Sequence, residues 1–177
     1  GQVTFASTIG TTSTNEVGTI TTAASTDTRF KSTVDAGALS FTNSTLRFDG
    51  LVTVDSAGTG DGGLDFITDG GTVTLGSGFT NGQTVITADG AVADANLTIN
   101  MPSSITDGQT LVLFDGASGT TDATYTVPST ALFTYSAAVN DTTDAVTITA
   151  TARSAADIAT TLGATAAEGT ALSNANS

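Results

Sequence analysis

The chain contains no cysteine, no histidine and no tryptophan, and only two prolines. Without cysteine there is no disulfide scaffold, no thiolate zinc site and no cysteine nucleophile. Without histidine the commonest general base is missing. The single lysine, Lys31, stands next to Ser32, but adjacency alone does not make a nucleophile and base. Basic residues are scarce: Arg29, Lys31, Arg47 and Arg153 face 17 acidic residues, for a net charge of -13. Such a chain is repelled by phosphate backbones and anionic lipid, which argues against nucleic-acid and membrane-surface partners. No apolar run approaches the ~20 residues of a membrane-spanning helix, so a membrane-embedded chain is not expected. The first residues are Gly1-Gln2-Val3 with no initiator methionine, and we expect a processed or excised piece of a longer precursor.

Thr, Ser, Ala, Gly and Asp take the place of the missing charges, which hold only 12% of positions. Thr and Val suit a pleated strand, whereas Lys, Glu and Arg favour helices. Val, Ile, Leu and Phe recur in alternating runs, which argues against disorder for the bulk of the chain. Strands are expected at residues 2–5, 17–22, 38–42, 45–48, 51–54, 64–67, 72–75, 84–87, 96–100, 109–114, 123–127, 131–135 and 145–150. The expected core is Phe41, Leu46, Phe48, Val52, Val54, Leu64, Phe66, Val73, Leu75, Leu97, Ile99, Leu111, Leu113, Phe133, Val146 and Ile148.

Turn signals organise these strands. Asp-Gly pairs begin at Asp49, Asp61, Asp69, Asp89, Asp107 and Asp115, and Asn-Gly begins at Asn81. Asp49, Asp69 and Asp89 are 20 residues apart, as are Asp61 and Asn81. That period matches one coil of a β-solenoid and predicts that Asp49, Asp69 and Asp89 stack along one edge. The fold class is therefore all-β, a β-solenoid of parallel β-helix type with a hairpin region. A β-sandwich or stack of hairpins is the alternative, since the turn gaps also suit antiparallel hairpins. After Arg153 the pattern turns helical. Ser154 and Thr165 each open a capping box, with Asp157 and Glu168, predicting short helices over 155–162 and 166–174. The chain divides into an extended segment at 1–28, a β-domain at 29–153, and a helical cap with a frayed tail at 154–177.

The stretch from about residue 84 onward resembles the last part of a bacterial autotransporter passenger. The resemblance rests on the run Ile105-Thr106-Asp107-Gly108-Gln109-Thr110-Leu111-Val112-Leu113-Phe114-Asp115-Gly116, a hairpin region from Ala131 to Ala152, a strand closing on Thr151-Ala152-Arg153, and helical residues from Ser154 to Asn174. It implies a right-handed parallel β-helix and display or release at the outer surface of a Gram-negative cell. The family's membrane barrel has no counterpart here, and no catalytic residue of the family has a match.

Most acids fall in Asp-Gly turns, where the side chain serves the backbone, so paired-carboxylate catalysis is not expected and the chain is read as non-enzymatic. Two non-enzymatic functions fit, a structural or adhesive surface protein first and a carbohydrate- or ice-binding solenoid module second; a β-helical polysaccharide enzyme is the third reading. The Thr-x-Thr pairs at Thr72/Thr74 and Thr147/Thr149 read as solvent-face strand formers, because the pattern is not expected to be sustained from coil to coil. A cell-surface polysaccharide is the candidate ligand of the second reading. For the first, Val3, Phe5, Ile9, Val17 and Ile20 are the candidate assembly residues: too sparse for a core of their own, they suit addition to the sheet edge of another copy. Homopolymers or fibres would follow.

Asp55, Asp61, Asp65 and Asp69 crowd into fifteen residues rich in glycine and are the candidate ligands of a calcium ion. A folded-state calcium site stabilises the fold by linkage. We expect the melting temperature to fall in excess chelator and to recover with added calcium. A melting temperature indifferent to both leaves these acids as solvated turns.

Overall fold

The computed structural model describes residues 1–11, 17–41, 43–54, 64–66, 71–88, 96–116, 124–143 and 145–175, with 64–66 described by backbone pairing only. The strands are β1 (Gln2–Phe5), β2 (Val17–Thr22), β3 (Asp27–Phe30), β4 (Val34–Phe41), β5 (Thr45–Phe48), β6 (Val52–Val54), β7 (Leu64–Phe66), β8 (Gly71–Leu75), β9 (Gln83–Ala88), β10 (Leu97–Asn100), β11 (Thr110–Asp115), β12 (Tyr125–Thr126), β13 (Phe133–Asn140) and β14 (Ala145–Ala152). Two helices follow, α1 (Ala155–Leu162) and α2 (Ala166–Asn174). The protein is mostly β, as its composition predicts, with two sheets and two short C-terminal helices.

The first sheet has the order β1-β3-β5-β8-β10-β12 and is parallel throughout. The second runs β2-β4-β6-β9-β11-β14-β13, with β7 also paired to β4. It is parallel as far as β11 and antiparallel at β11–β14 and β13–β14. Parallel neighbours cannot be joined by a tight turn. The chain meets that constraint by leaving one sheet for the other before it returns.

In-register parallel pairing puts like residues beside like. Phe5 pairs with Phe30, Phe30 with Phe48 and Phe48 with Leu75. The Phe5 and Phe30 rings stack with centroids 5.3 Å apart, and those of Phe30 and Phe48 at 5.5 Å. Beside them Leu46, Val73 and Ile99 form a second row. In the other sheet Val34, Val52, Ile86, Phe114 and Val146 form a third. All of these but Phe5 are buried in one core shared by both sheets. Fully burying each such side chain contributes about 1.5–3 kcal/mol. A bulge in β11, where Val112 and Phe114 lie opposite Thr147 and Val146, lets the consecutive Leu113 and Phe114 both face inward.

Fourteen of the expected core residues are buried; the other two, Leu64 and Phe66, lie in β7, outside the described side chains. The helices occupy the expected spans. Ser154 Oγ accepts from Asp157 N at 3.2 Å, and Gly163 ends α1 at φ 64. Thr165 and Glu168 form a reciprocal capping box. The helices pack chiefly on each other, and a side chain at Gly169 would strike the Ala155 carbonyl.

The 20-residue turn period is not the step of the register. Thr45 lies beside Thr72, Thr72 beside Thr98, and Thr98 beside Thr126, all longer and unequal steps. The layer following Asp49 is Gly76, whose N–H donates to Phe48 O at 2.7 Å. Asp61, Asp69 and Asp89 lie outside the described residues. The sequence reading also omitted β3, and it assigned residues 38–42 where β4 begins at Val34 and 131–135 where β13 runs to Asn140.

Candidate functional site

Three features were candidates for chemistry, and the fold disposes of them differently. Of the calcium ligands, Asp55, Asp61 and Asp69 lie outside the described residues, and the side chain of Asp65 in β7 is also outside them. Among the described residues no three acids come together as a metal group. Ser32 Oγ, beside Lys31, lies 2.9 Å from Thr8 Oγ1 in a surface hydroxyl pair.

Asp107 and Asn81 serve the backbone in their turns. Thr80-Asn81-Gly82-Gln83 and Thr106-Asp107-Gly108-Gln109 form the same turn, with Gly82 and Gly108 at φ 75 and 72. In both, the Gln Oε1 accepts from the backbone N–H of the Thr, at 2.9 and 3.1 Å. Asn81 Oδ1 accepts from Thr110 N at 2.8 Å and Asp107 Oδ1 from Ala152 N at 2.7 Å. Each turn thereby ties itself to the next strand. The preceding Phe79 and Ile105 are buried beneath.

Asp49 does something else. Arg29 and Arg47 sit side by side in β3 and β5. Arg29 donates from Nε and Nη2 to Asp49 Oδ2 at 2.7 and 2.6 Å, and Arg47 Nε donates to Oδ1 at 3.0 Å. A side chain at Gly76 would collide with Asp49, so the closeness of the next layer requires glycine there. Burial of the Asp49 carboxyl raises its pKa, but the hydrogen bonds and charges of Arg29 and Arg47 outweigh it and hold the group below its ordinary value. Two of the four basic residues are thus engaged in a structural cluster.

The outward side of the first sheet carries one long row, Gln2-Asp27-Thr45-Thr72-Thr98-Thr126. Thr74 stands in the neighbouring row with Arg47 and Asn100. The Thr pattern that looked isolated in the sequence is therefore continuous across four strands.

The N-terminal ends of the sheets lie together. β1 and β2 are the outermost strands, and each has a strand neighbour on one side only among the described residues. Val3, Phe5, Ile20 and Thr22 line a cleft of about 180 Å³ between them. Val3, Phe5 and Val17 are 50%, 39% and 41% exposed, while Ile9 and Ile20 pack against the core. All five candidate assembly residues therefore belong to the end layer, whose strands pair with β3 and β4 of their own chain. At the other end, Met101, Ile105, Leu132, Phe133 and Tyr135 line an apolar cleft of about 310 Å³. Burial pushes the Tyr135 hydroxyl to a higher pKa.

No family model, curated protein or solved structure shows significant similarity to this chain.

The Asp49 cluster generates a testable expectation. Its side chain is 18% exposed and the arginines are more so, which lowers the worth of the pairs below that of fully buried ones. Asp49→Ala leaves two adjacent guanidinium groups unneutralised, and we expect a loss of about 1–2 kcal/mol in urea melts. A carboxyl with a depressed folded pKa contributes stability that is present above its unfolded pKa, about 3.9, and is lost as pH falls through the folded value. Between pH 5 and 2 the parent should therefore lose more stability than Asp49→Asn. Parallel pH profiles for the two proteins would contradict this.

Proposed function

We propose that this chain is a non-enzymatic structural or adhesive surface protein, built as a β-solenoid, that assembles with copies of itself through the strands at its N-terminal end. The solenoid reading is supported by the alternation of most successive strands between two sheets, β6–β7 and β13–β14 excepted, with parallel pairing throughout the first sheet and as far as β11 in the second. Two sheets stacked as a sandwich would also hold these strands, but sandwich sheets are commonly antiparallel hairpins and Greek keys. The outer surface of a Gram-negative cell is the setting that the resemblance to autotransporter passengers suggests.

One observation carries the assembly reading. An unpaired strand edge is a template for another strand, and proteins usually blunt it with lysine, proline, bulges or inward charges. The sequences of β1 and β2, QVTF and VGTITT, have none of these residues. Apolar side chains are exposed on both.

The Thr row favours a second reading, a carbohydrate- or ice-binding module. Its hydroxyls repeat at the strand spacing of about 4.8 Å. Sedimentation with insoluble polysaccharide and inspection of ice-crystal habit distinguish it, because assembly through β1 and β2 requires neither.

Val3→Lys combined with Val17→Lys puts a charge on each edge strand. Both side chains are already part-exposed, so the fold should persist, as read by circular dichroism. We expect the parent to show masses above the monomer in light scattering as concentration rises, and the double variant to remain monomeric. Equal assembly by the two proteins, or a parent that is monomeric at the highest concentration reached, overturns the reading.

A further inference from the structure

We infer that the partner of the N-terminal end is the same end of a second copy, so that the unit of assembly is a two-fold, head-to-head dimer. The inference rests on the assembly reading above and specifies which surfaces meet.

Charge is the first argument. In a chain of net charge -13, copies repel one another. The repulsion is smallest where acids are fewest. Residues 1–26 carry a single charged side chain, Glu16, and the next is Asp27. Placing two N-terminal ends together therefore joins the neutral regions and leaves the acidic remainder of each copy far apart. A head-to-tail contact would instead set this end against the end that carries Asp141 and Asp157.

Strand geometry is the second. The C-terminal end is a poor complement to β1 and β2. Its edge in the first sheet is β12, of only two residues, and Pro128 follows closely. Proline donates no N–H to a ladder. By contrast, one 180° rotation about an axis normal to both sheets pairs β1 with the second copy's β1 and β2 with its β2. Both pairs are antiparallel, and an isologous contact of this kind is the commonest way copies associate. Val3 and Phe5 of each copy then meet across the junction, and the Phe5-Phe30-Phe48 stack is covered at its open end.

The absence of native cysteine makes the test clean. Thr4→Cys and Thr19→Cys place single thiols on β1 and β2, and Thr126→Cys places one on β12; all three positions are exposed. Each variant is treated, in the full chain, with a short bis-maleimide, alone and as a mixture of Thr4→Cys with a mass-tagged Thr126→Cys. We expect Thr4→Cys and Thr19→Cys to give covalent dimers, Thr126→Cys to give none, and the mixture to give no crossed dimer. A crossed Thr4–Thr126 product with no Thr4 homodimer overturns the head-to-head inference but leaves self-assembly standing. No crosslinked species, together with a monomer mass in light scattering, overturns both.

Discussion

The rest of the structure depends on in-register parallel pairing. Once Phe30 pairs with Phe5 on one side and Phe48 on the other, the row can only be apolar and the next row only inward or outward throughout. Period-two alternation then converts each register position into a continuous stripe. The inward stripes become the core. The outward ones become the Thr row and the Arg29-Asp49-Arg47 cluster. Several strands are short, and β6 and β7 have three residues each. Their stability comes from the neighbours above and below rather than from local propensity.

A stack of this kind has ends, and the two ends of this protein differ in chemistry. At the C-terminal side the parallel order gives way to the β13–β14 hairpin, with Asp107 holding Ala152 N and Arg153 Nε holding Thr130 O. At the N-terminal side β1 and β2 are the outermost strands among the described residues. The stack of rings ends in Phe5, which has a partner on one side and is part-exposed on the other. The same pairing that builds the interior therefore leaves a surface suited to more of the same pairing. That surface is where the proposed function lies.

Much of this was legible in the sequence, and the omissions have physical causes. Alternating runs such as Thr72-Val73-Thr74-Leu75 announce their strands, and the capping residues Ser154 and Thr165 fix both helices. β3 escaped notice because its inward position 28 is a threonine, buried among apolar neighbours, so Phe30 alone signals the strand. The Asp-Gly spacing misled because it marks turns, and the number of residues between turns and layers varies along the chain. A better signal was present: Phe79-Thr80-Asn81-Gly82-Gln83-Thr84 and Ile105-Thr106-Asp107-Gly108-Gln109-Thr110 repeat a buried residue, a Gln-closed turn and a strand start. The Thr row could not be read along the sequence, since Thr45, Thr72, Thr98 and Thr126 are brought into line only by the register. The candidate assembly residues were found by their sparse apolar spacing. Their pairing to β3 and β4 of the same chain required the structure.

The most direct measurement of the central claim is backbone hydrogen exchange of the intact chain at low and high protein concentration. Edge amides exchange quickly unless another strand covers them. Exchange in residues 2–5 and 17–22 should slow as concentration rises while exchange in residues 133–140 does not change. Concentration-independent exchange in β1 and β2, or protection that appears in β13 instead, would contradict it.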